Sequence, residues 1–204
     1  MASVSEWIAR EYFEMLGFMV SQPCKYSVVG RPKRIEEETD LIVFNPLVAE
    51  QVLPEGLLWA TGDLKKIARA VVGVYGWHTE RFYPAMLENL PEIIRFAGEE
   101  SLKMAAHQLG SSQIAKILCL PHLPVAPKLK DDTLRLLKTR GIDGVLEFRT
   151  MLVEIISRVD KNRNYEKSDV LQIVRILKNY DLFRDAQLEF FARKRSGRRR
   201  KTEQ

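Results

Sequence analysis

The spacing of apolar residues along the chain predicts a series of amphipathic helices. The first helix begins at a capping box, Ser3–Glu6, and ends at Gly17. Apolar residues recur at helical spacing in four further segments, which are 82–109 with a break at Pro91, about 131–140, 151–159 and 168–179. The last of these helices carries one apolar stripe, formed by Val170, Ile173, Val174 and Leu177. The stripe predicts packing against the rest of the protein or against a partner.

Short apolar runs between these helices predict β-strands. They cover residues 18–20, 26–29, 39–44, 70–75, 115–120 and 145–148. The run 70–75 is β-branched and apolar, which is typical of a central strand, whereas residues 47–68 predict a mixed connection. Strands and helices alternate from residue 70 to residue 148, and this order builds parallel strand pairs. The sequence therefore predicts an α/β fold, a three-layer α/β/α sandwich with a mixed central sheet, plus a small C-terminal helical extension.

Length and composition fit one main domain of ordinary globular character. Of 204 residues, 46% are hydrophobic and 29% are charged. We expect a main domain over residues 1–159, a helical extension over 160–192 and a disordered basic tail over 193–204. No apolar run approaches the ~18 residues of a membrane span, the N-terminus has no signal-peptide core, and the two cysteines suggest neither a disulfide framework nor a zinc site. These features predict a cytoplasmic protein with no membrane partner.

Positive charge is concentrated in two segments. The net charge is +5, and the tail alone contributes seven positive residues, namely Arg193, Lys194, Arg195, Arg198, Arg199, Arg200 and Lys201. Such a tail suits a phosphate backbone, because cationic side chains release its counterions. A predicted turn adds Arg31, Lys33 and Arg34, which would face phosphates if a duplex were gripped there. The alternatives are a solvated end without a specific partner and an ordinary solvated turn.

Several common catalytic motifs do not occur in the sequence. The segment Gly73–Gly76 is not a dinucleotide fingerprint, and Gly110–Lys116 lacks the glycine and the lysine–hydroxyl pair of a phosphate loop. The three histidines, at positions 78, 107 and 122, lack metal-ligand spacing, and no Gly-x-Ser-x-Gly elbow is present. The sequence therefore gives little support to nucleotide hydrolysis through these motifs or to histidine-centred hydrolysis.

One ordered series of elements does suggest a function. It comprises a first helix that carries Glu11, a hairpin, a strand that starts with Asp40, and a central apolar strand that ends at Gly76. Over about residues 1–150 this pattern resembles the PD-(D/E)xK, or restriction-endonuclease-like, superfamily. The resemblance implies a nuclease in which an acidic residue at the start of the second strand and a Glu-x-Lys on the third form a magnesium or manganese site. Asp40 then corresponds to the first carboxylate and metal ligand, and Glu11 to the glutamate of the first helix.

The third strand departs from the motif of that superfamily. Gly73 and Tyr75 occupy the Glu-x-Lys positions, and they supply neither a carboxylate nor a cation. A second register would use Asp63-Leu-Lys65, although its surroundings are typical of a turn and a helix N-cap. Asp40 itself either binds metal or caps a strand edge. The sequence therefore favours a degenerate catalytic centre and leaves a relocated one open.

The segment after the central strand offers replacement chemistry. His78 is suited to act as a base or ligand, and Glu80 as a second carboxylate. In the alternative interpretation Trp77 packs, His78 makes a hydrogen bond and Glu80 starts a helix. Only the functional interpretation would restore a catalytic centre at the end of this strand.

Three functional hypotheses follow from the sequence. The first is a nuclease-like protein that binds DNA or RNA and has a degenerate centre. The second is an active nuclease that depends on Mg²⁺ or Mn²⁺ and uses a relocated centre. The third is a protein-interaction scaffold, in which the helix 168–179 binds a protein partner or a second copy of the chain.

Overall fold

A mixed five-stranded sheet forms the centre of the computed structural model, which describes residues 4–23 and 39–183. Its strands follow the chain in the order β1-β2-β3-β4-β5, with the bounds Met19–Ser21, Leu41–Phe44, Arg69–Val74, Ala115–Leu120 and Gly144–Glu147. β1, β2 and β3 pair antiparallel, whereas β3, β4 and β5 pair parallel. The register places Leu41 opposite Val72 and Val72 beside Ile117. Because β2 and β3 run in opposite directions, the start of β2 lies next to the end of β3.

The helices are α1 to α6, with a 3-10 turn before β3 and a 3-10 segment after α2. The α-helices have the bounds Val4–Met15, Pro84–Asn89, Glu99–Leu109, Pro127–Thr139, Phe148–Arg158 and Asp169–Asn179. The 3-10 turn is Asp63–Lys66, and the 3-10 segment is Pro91–Ala97. Glycines with a positive φ end three helices, which are α1 at Gly17, α3 at Gly110 and α4 at Gly141.

Both faces of the sheet are covered, so the domain has three layers. One face carries Ile42, Val71, Leu118 and Val145, which form a core with side chains of α2, the 3-10 segment, α3 and α4. The alternating residues of the same strands point to the opposite face and are also buried. α1 contacts β1, β2 and β3 and contributes nothing to the first core, which places it on that second face. The predicted α/β/α sandwich with a mixed sheet is confirmed.

The chain divides into two compact units, Met1–Ile155 and Ile156–Gln204. In the second unit, Ser168 caps α6 by accepting a hydrogen bond from the Leu171 amide at 3.2 Å. Val174 is the buried residue of α6, and Lys178 donates from Nζ to the Val159 carbonyl at 2.7 Å. The predicted start of this helix is confirmed. On the predicted stripe, Ile173 is 56% exposed, so whether it packs against a partner stays a prediction.

Several predicted boundaries are corrected by the structure. α4 begins at Pro127, where a loop was expected, because a proline at the first helical position loses no hydrogen bond. The helical run 82–109 consists of α2, the 3-10 segment and α3, and it breaks at Gly98 as well as at Pro91. α5 begins at Phe148, three residues early, and takes over the end of the predicted strand 145–148. The predicted strand 26–29 lies outside the described residues.

The described helices are short compared with the thickness of a bilayer. Within residues 4–23 and 39–183, none combines the length and the apolar character that a membrane span requires.

Candidate functional site

The candidate site lies at the edge of the sheet where β3, β4 and β5 end. Their last residues are Val74, Leu120 and Glu147, and the antiparallel β2 brings Asp40 to the same edge. In open α/β sheets, ligands bind outside the carboxyl ends of the parallel strands. The residues that follow β3, from Tyr75 to Tyr83, therefore lie at the edge where a ligand is expected.

Asp40 is held against the end of β3. Its Oδ2 atom accepts a hydrogen bond from the Val74 amide at 2.7 Å, in a partly buried position. The neighbouring strand contributes Cys119, which is fully buried and pairs with Val74 in the ladder. Burial raises the pKa of the Cys119 thiol above its ordinary value, and the negative charge of Asp40 raises this pKa further. Asp40 is thus a partly buried carboxylate with a structural hydrogen bond beside a neutral thiol.

Packing fills the two positions where the resemblance would require Glu-x-Lys. A Cβ atom at Gly73 would lie only 2.5 to 2.9 Å from three ring atoms of Phe96. The Phe96 ring is fully buried and occupies the space that a side chain at position 73 would need. Tyr75 turns its hydroxyl to the Glu92 carbonyl and donates a hydrogen bond at 2.8 Å. Both positions belong to the apolar layer under the 3-10 segment.

A Mg²⁺ or Mn²⁺ site at Asp40 would need a second oxygen ligand, which Gly73 does not supply. Such an ion takes oxygen ligands that converge on it, and carboxylates are the main protein donors. The end of β3 offers Asp40 Gly73, which has no side chain, and the Val74 amide, which donates a hydrogen bond to it. Over residues 4–23 and 39–183, no group of three or more histidine, cysteine, aspartate or glutamate side chains is arranged to hold a metal ion.

The Asp63-Leu-Lys65 segment lies on the connection that enters β3 from the opposite end. The Asp63 Oδ2 atom accepts a hydrogen bond from the Ala60 amide at 2.9 Å, and residues 63–66 form the 3-10 turn. Gly62, not Asp63, is the N-cap of this turn. β3 then runs for six residues, roughly 16 Å, before it reaches the level of Asp40. The topology therefore separates Asp63 and Lys65 from Asp40.

His78 makes a hydrogen bond to Ser5 in the first turn of α1. Its Nε2 atom lies 3.0 Å from the Ser5 hydroxyl, and its ring meets the Phe148 ring edge-on at 4.8 Å. Gly76 allows this contact, because a Cβ atom there would collide with the Ser5 Oγ atom and lie 2.8 Å from its Cβ atom. Ser5 is almost fully buried. These contacts fix the turn after β3 against α1 and engage His78 in a hydrogen bond, as the alternative interpretation expected.

Glu80 and Glu11 take different positions in the structure. Glu80 is exposed, and its amide bonds to the Trp77 carbonyl at 2.9 Å in a turn, so it does not start a helix. Glu11 lies on α1, partly buried and six residues beyond Ser5, which is about 9 Å along the helix axis. On α1, Ser5 makes a hydrogen bond to the segment after β3. Ser5 was not among the predicted site residues, although its position on the buried face of the helix was a signal.

The predicted cationic residues lie outside the part of the chain that the structure describes. They are Arg31, Lys33, Arg34, Arg193, Lys194, Arg195, Arg198, Arg199, Arg200 and Lys201. Their role in nucleic-acid binding stays a prediction from the sequence.

Comparisons with known proteins give no relative from which a function could be carried over. No protein-family model, curated protein or solved structure matches the chain.

Proposed function

We propose that the chain is a nucleic-acid-binding protein of nuclease-like design whose catalytic centre has been replaced by side-chain packing. The order of elements supports this proposal, since a first helix, antiparallel strands, Asp40 at the start of β2 and a central β3 follow each other along the chain. This is the series on which the resemblance to the PD-(D/E)xK superfamily depends. The proposal has a catalytic half and a binding half, which different observations support.

The packing of Phe96 over Gly73 carries the catalytic half. Hydrolysis in such a centre needs a second carboxylate beside Asp40, so that a bound cation can activate water and neutralise the phosphate. A glutamate at position 73 would have to displace a fully buried aromatic ring. Position 75 carries a tyrosine whose hydroxyl donates a hydrogen bond to the Glu92 carbonyl. The Asp40 carboxylate that remains supports the end of β3 instead.

The positive charge of the C-terminal tail supports the binding half of the proposal. The seven cationic residues between Arg193 and Lys201 exceed the net charge of the whole chain, which is +5. A cluster of this kind attracts a polyanion, and each phosphate that it neutralises releases condensed counterions. Binding would therefore be sensitive to salt and largely independent of sequence.

Binding and cleavage assays test the two halves separately. We expect the full chain to bind labelled DNA or RNA with an affinity that falls with salt, by a log–log slope of about 0.7 to 0.9 per neutralised phosphate. Deletion of residues 193–204 should weaken binding and flatten this slope. No binding at low salt, or a slope unchanged by the deletion, would contradict the binding half.

The cleavage assay compares the full chain with Asp40→Ala on supercoiled DNA, linear DNA and RNA, in Mg²⁺ or Mn²⁺. We expect no cleavage by either protein. Cleavage that disappears in Asp40→Ala would favour the alternative, an active nuclease with a relocated centre. The substitutions to test next would then be those of Asp63, Lys65, His78 and Glu80.

A protein-interaction role of α6 is the second candidate function. Ile173 and Ile176 are 56% and 44% exposed on this helix, and Tyr180 and Leu182 extend the apolar surface beyond its end. Exposed apolar groups that follow a helical spacing are typical of a helix that binds a partner. If a second copy is that partner, the chain should dimerise in light scattering, and Ile173→Lys with Ile176→Lys should make it monomeric. A wild-type chain that is monomeric at high concentration would exclude self-association.

A further inference from the structure

Two aromatic side chains are exposed in the segment between β3 and α2. Trp77 is 40% exposed and Tyr83 is 41% exposed, and both lie near the ends of the parallel strands. Neither residue takes part in the Asp40 or Ser5 contacts described above. Large aromatic groups are usually buried, because each removes much apolar surface from water. Exposed rings at the ligand-binding edge of the sheet therefore suggest a surface for a flat ligand.

Two neighbouring aromatic rings hold the Trp77 ring in place. It stacks on the Phe82 ring with an interplanar angle of 12° and a centroid distance of 6.0 Å, and it meets Tyr75 edge-on at 5.9 Å. Phe82 is fully buried, and its amide donates to the His122 carbonyl at 3.0 Å. One side of the indole is thus supported by the core while part of the ring faces solvent. A supported ring loses little conformational freedom when a ligand binds.

The polar groups around this ring suit an anionic ligand. Arg81 is exposed and donates from Nη1 to the Leu123 carbonyl at 3.2 Å, which keeps its guanidinium group at this edge. His78 and His122 are also exposed here, whereas Glu80 adds one carboxylate. An aromatic ring and a guanidinium group at the same edge of the sheet are two elements that bind a nucleobase and its phosphate.

We propose that Trp77 is a stacking surface for an unpaired base, so that the preferred ligand is single-stranded nucleic acid. This inference rests on the proposed nucleic-acid binding and names its ligand class. In a duplex, neighbouring base pairs cover both faces of each base, whereas an unpaired base offers a free face to the indole. Stacking on an aromatic side chain contributes about 1–3 kcal/mol per base, which corresponds to a roughly 5- to 150-fold change in affinity.

The test measures the affinity of the full chain for a 20-nucleotide single strand and for a duplex of the same sequence. We expect the wild type to prefer the single strand and Trp77→Ala to lower that affinity about 5- to 150-fold, with little effect on the duplex. Trp7→Ala is the matched control, because Trp7 is the same side chain on α1 and is 43% exposed. It should change neither affinity.

Two further variants separate stacking from folding. Trp77→Phe keeps an aromatic ring against Phe82 and should retain part of the single-strand affinity. Tyr83→Ala removes the second exposed ring without touching the Trp77 stack, and it should lower single-strand affinity if Tyr83 extends the surface. An unchanged circular dichroism spectrum and an unchanged urea unfolding midpoint show that a variant is folded. If Trp77→Ala does not fold, Trp77→Phe and Tyr83→Ala decide the question.

The outcomes distinguish this inference from the proposed function. A chain that binds both ligands equally and loses nothing in Trp77→Ala would overturn the stacking surface and leave nucleic-acid binding intact. Equal losses in Trp7→Ala and Trp77→Ala would also overturn it. A chain that binds neither ligand at low salt would overturn both proposals.

Discussion

Substitution of Gly73 tests whether packing has replaced the third-strand carboxylate. In Gly73→Ala, the added methyl group would lie 2.5 to 2.9 Å from the Phe96 ring, whereas carbon atoms normally approach to about 3.5–4.0 Å. The ring must therefore move by on the order of 1 Å within a filled core. Overpacking of this kind costs about 1–3 kcal/mol, so we expect the free energy of unfolding to fall by that amount. Urea denaturation followed by circular dichroism measures it.

Gly62→Ala is the matched control for this substitution. Gly62 has an ordinary helical φ of −63°, and no atom lies within 4 Å of the position of a new Cβ atom. An alanine there should leave the free energy of unfolding unchanged or raise it by about 0.4–1 kcal/mol, because it restricts the unfolded chain. Equal unfolding midpoints for Gly73→Ala and Gly62→Ala would refute the packing argument.

A second substitution locates the strain at the Phe96 ring. In the double variant Gly73→Ala with Phe96→Leu, the smaller side chain leaves room for the new methyl group. The double variant should therefore lose less stability than the sum of the two single variants, by a coupling of about 0.5–3 kcal/mol. If the double variant loses as much stability as the two single variants together, the strain does not arise at the Phe96 ring. Gly73→Glu should be more destabilising still, since its carboxylate would enter an apolar core without a partner.

Two further predictions concern the groups next to β3. Asp40→Ala should lower the free energy of unfolding by about 1–3 kcal/mol, because the Val74 amide loses its hydrogen-bond acceptor. Asp40→Asn keeps an acceptor oxygen and should lower this free energy less. Equal losses for the two variants in thermal denaturation would contradict a structural role of this hydrogen bond. The raised pKa of the Cys119 thiol predicts a loss of stability at alkaline pH. Its folded-state pKa lies above the ordinary value of 9.0, so the folded protein keeps a proton that the unfolded chain releases as pH rises through that value. The free energy of unfolding should be fully retained below that pH and fall above it by up to ~1.4 kcal/mol per pH unit. Urea titrations from about pH 8 to about pH 10 should show this decline in the wild type and a smaller one in Cys119→Ala; identical slopes would refute the assignment.

Local patterns in the sequence determined most of the fold. The apolar run 115–120 is β4 without any change of bounds, and the predicted cap at Ser168 starts α6. The helix stops at Gly17, Gly110 and Gly141 are all confirmed by a positive φ. These features depend on residues close together in the chain, where side-chain periodicity, capping and backbone freedom act directly. The α/β class and the mixed sheet follow from their order.

The chemistry of the site depended on contacts between residues far apart in the chain. The sequence showed that Gly73 lacks a carboxylate, but only the tertiary structure placed Phe96, 23 positions later, in the space above it. Ser5 and His78 are 73 positions apart, and no local pattern predicts their hydrogen bond. The sequence likewise gave no sign that Trp77 would stack on Phe82 while part of its ring stays exposed. Periodicity assigns a side chain to a face, whereas the packing of the other elements decides what that face meets.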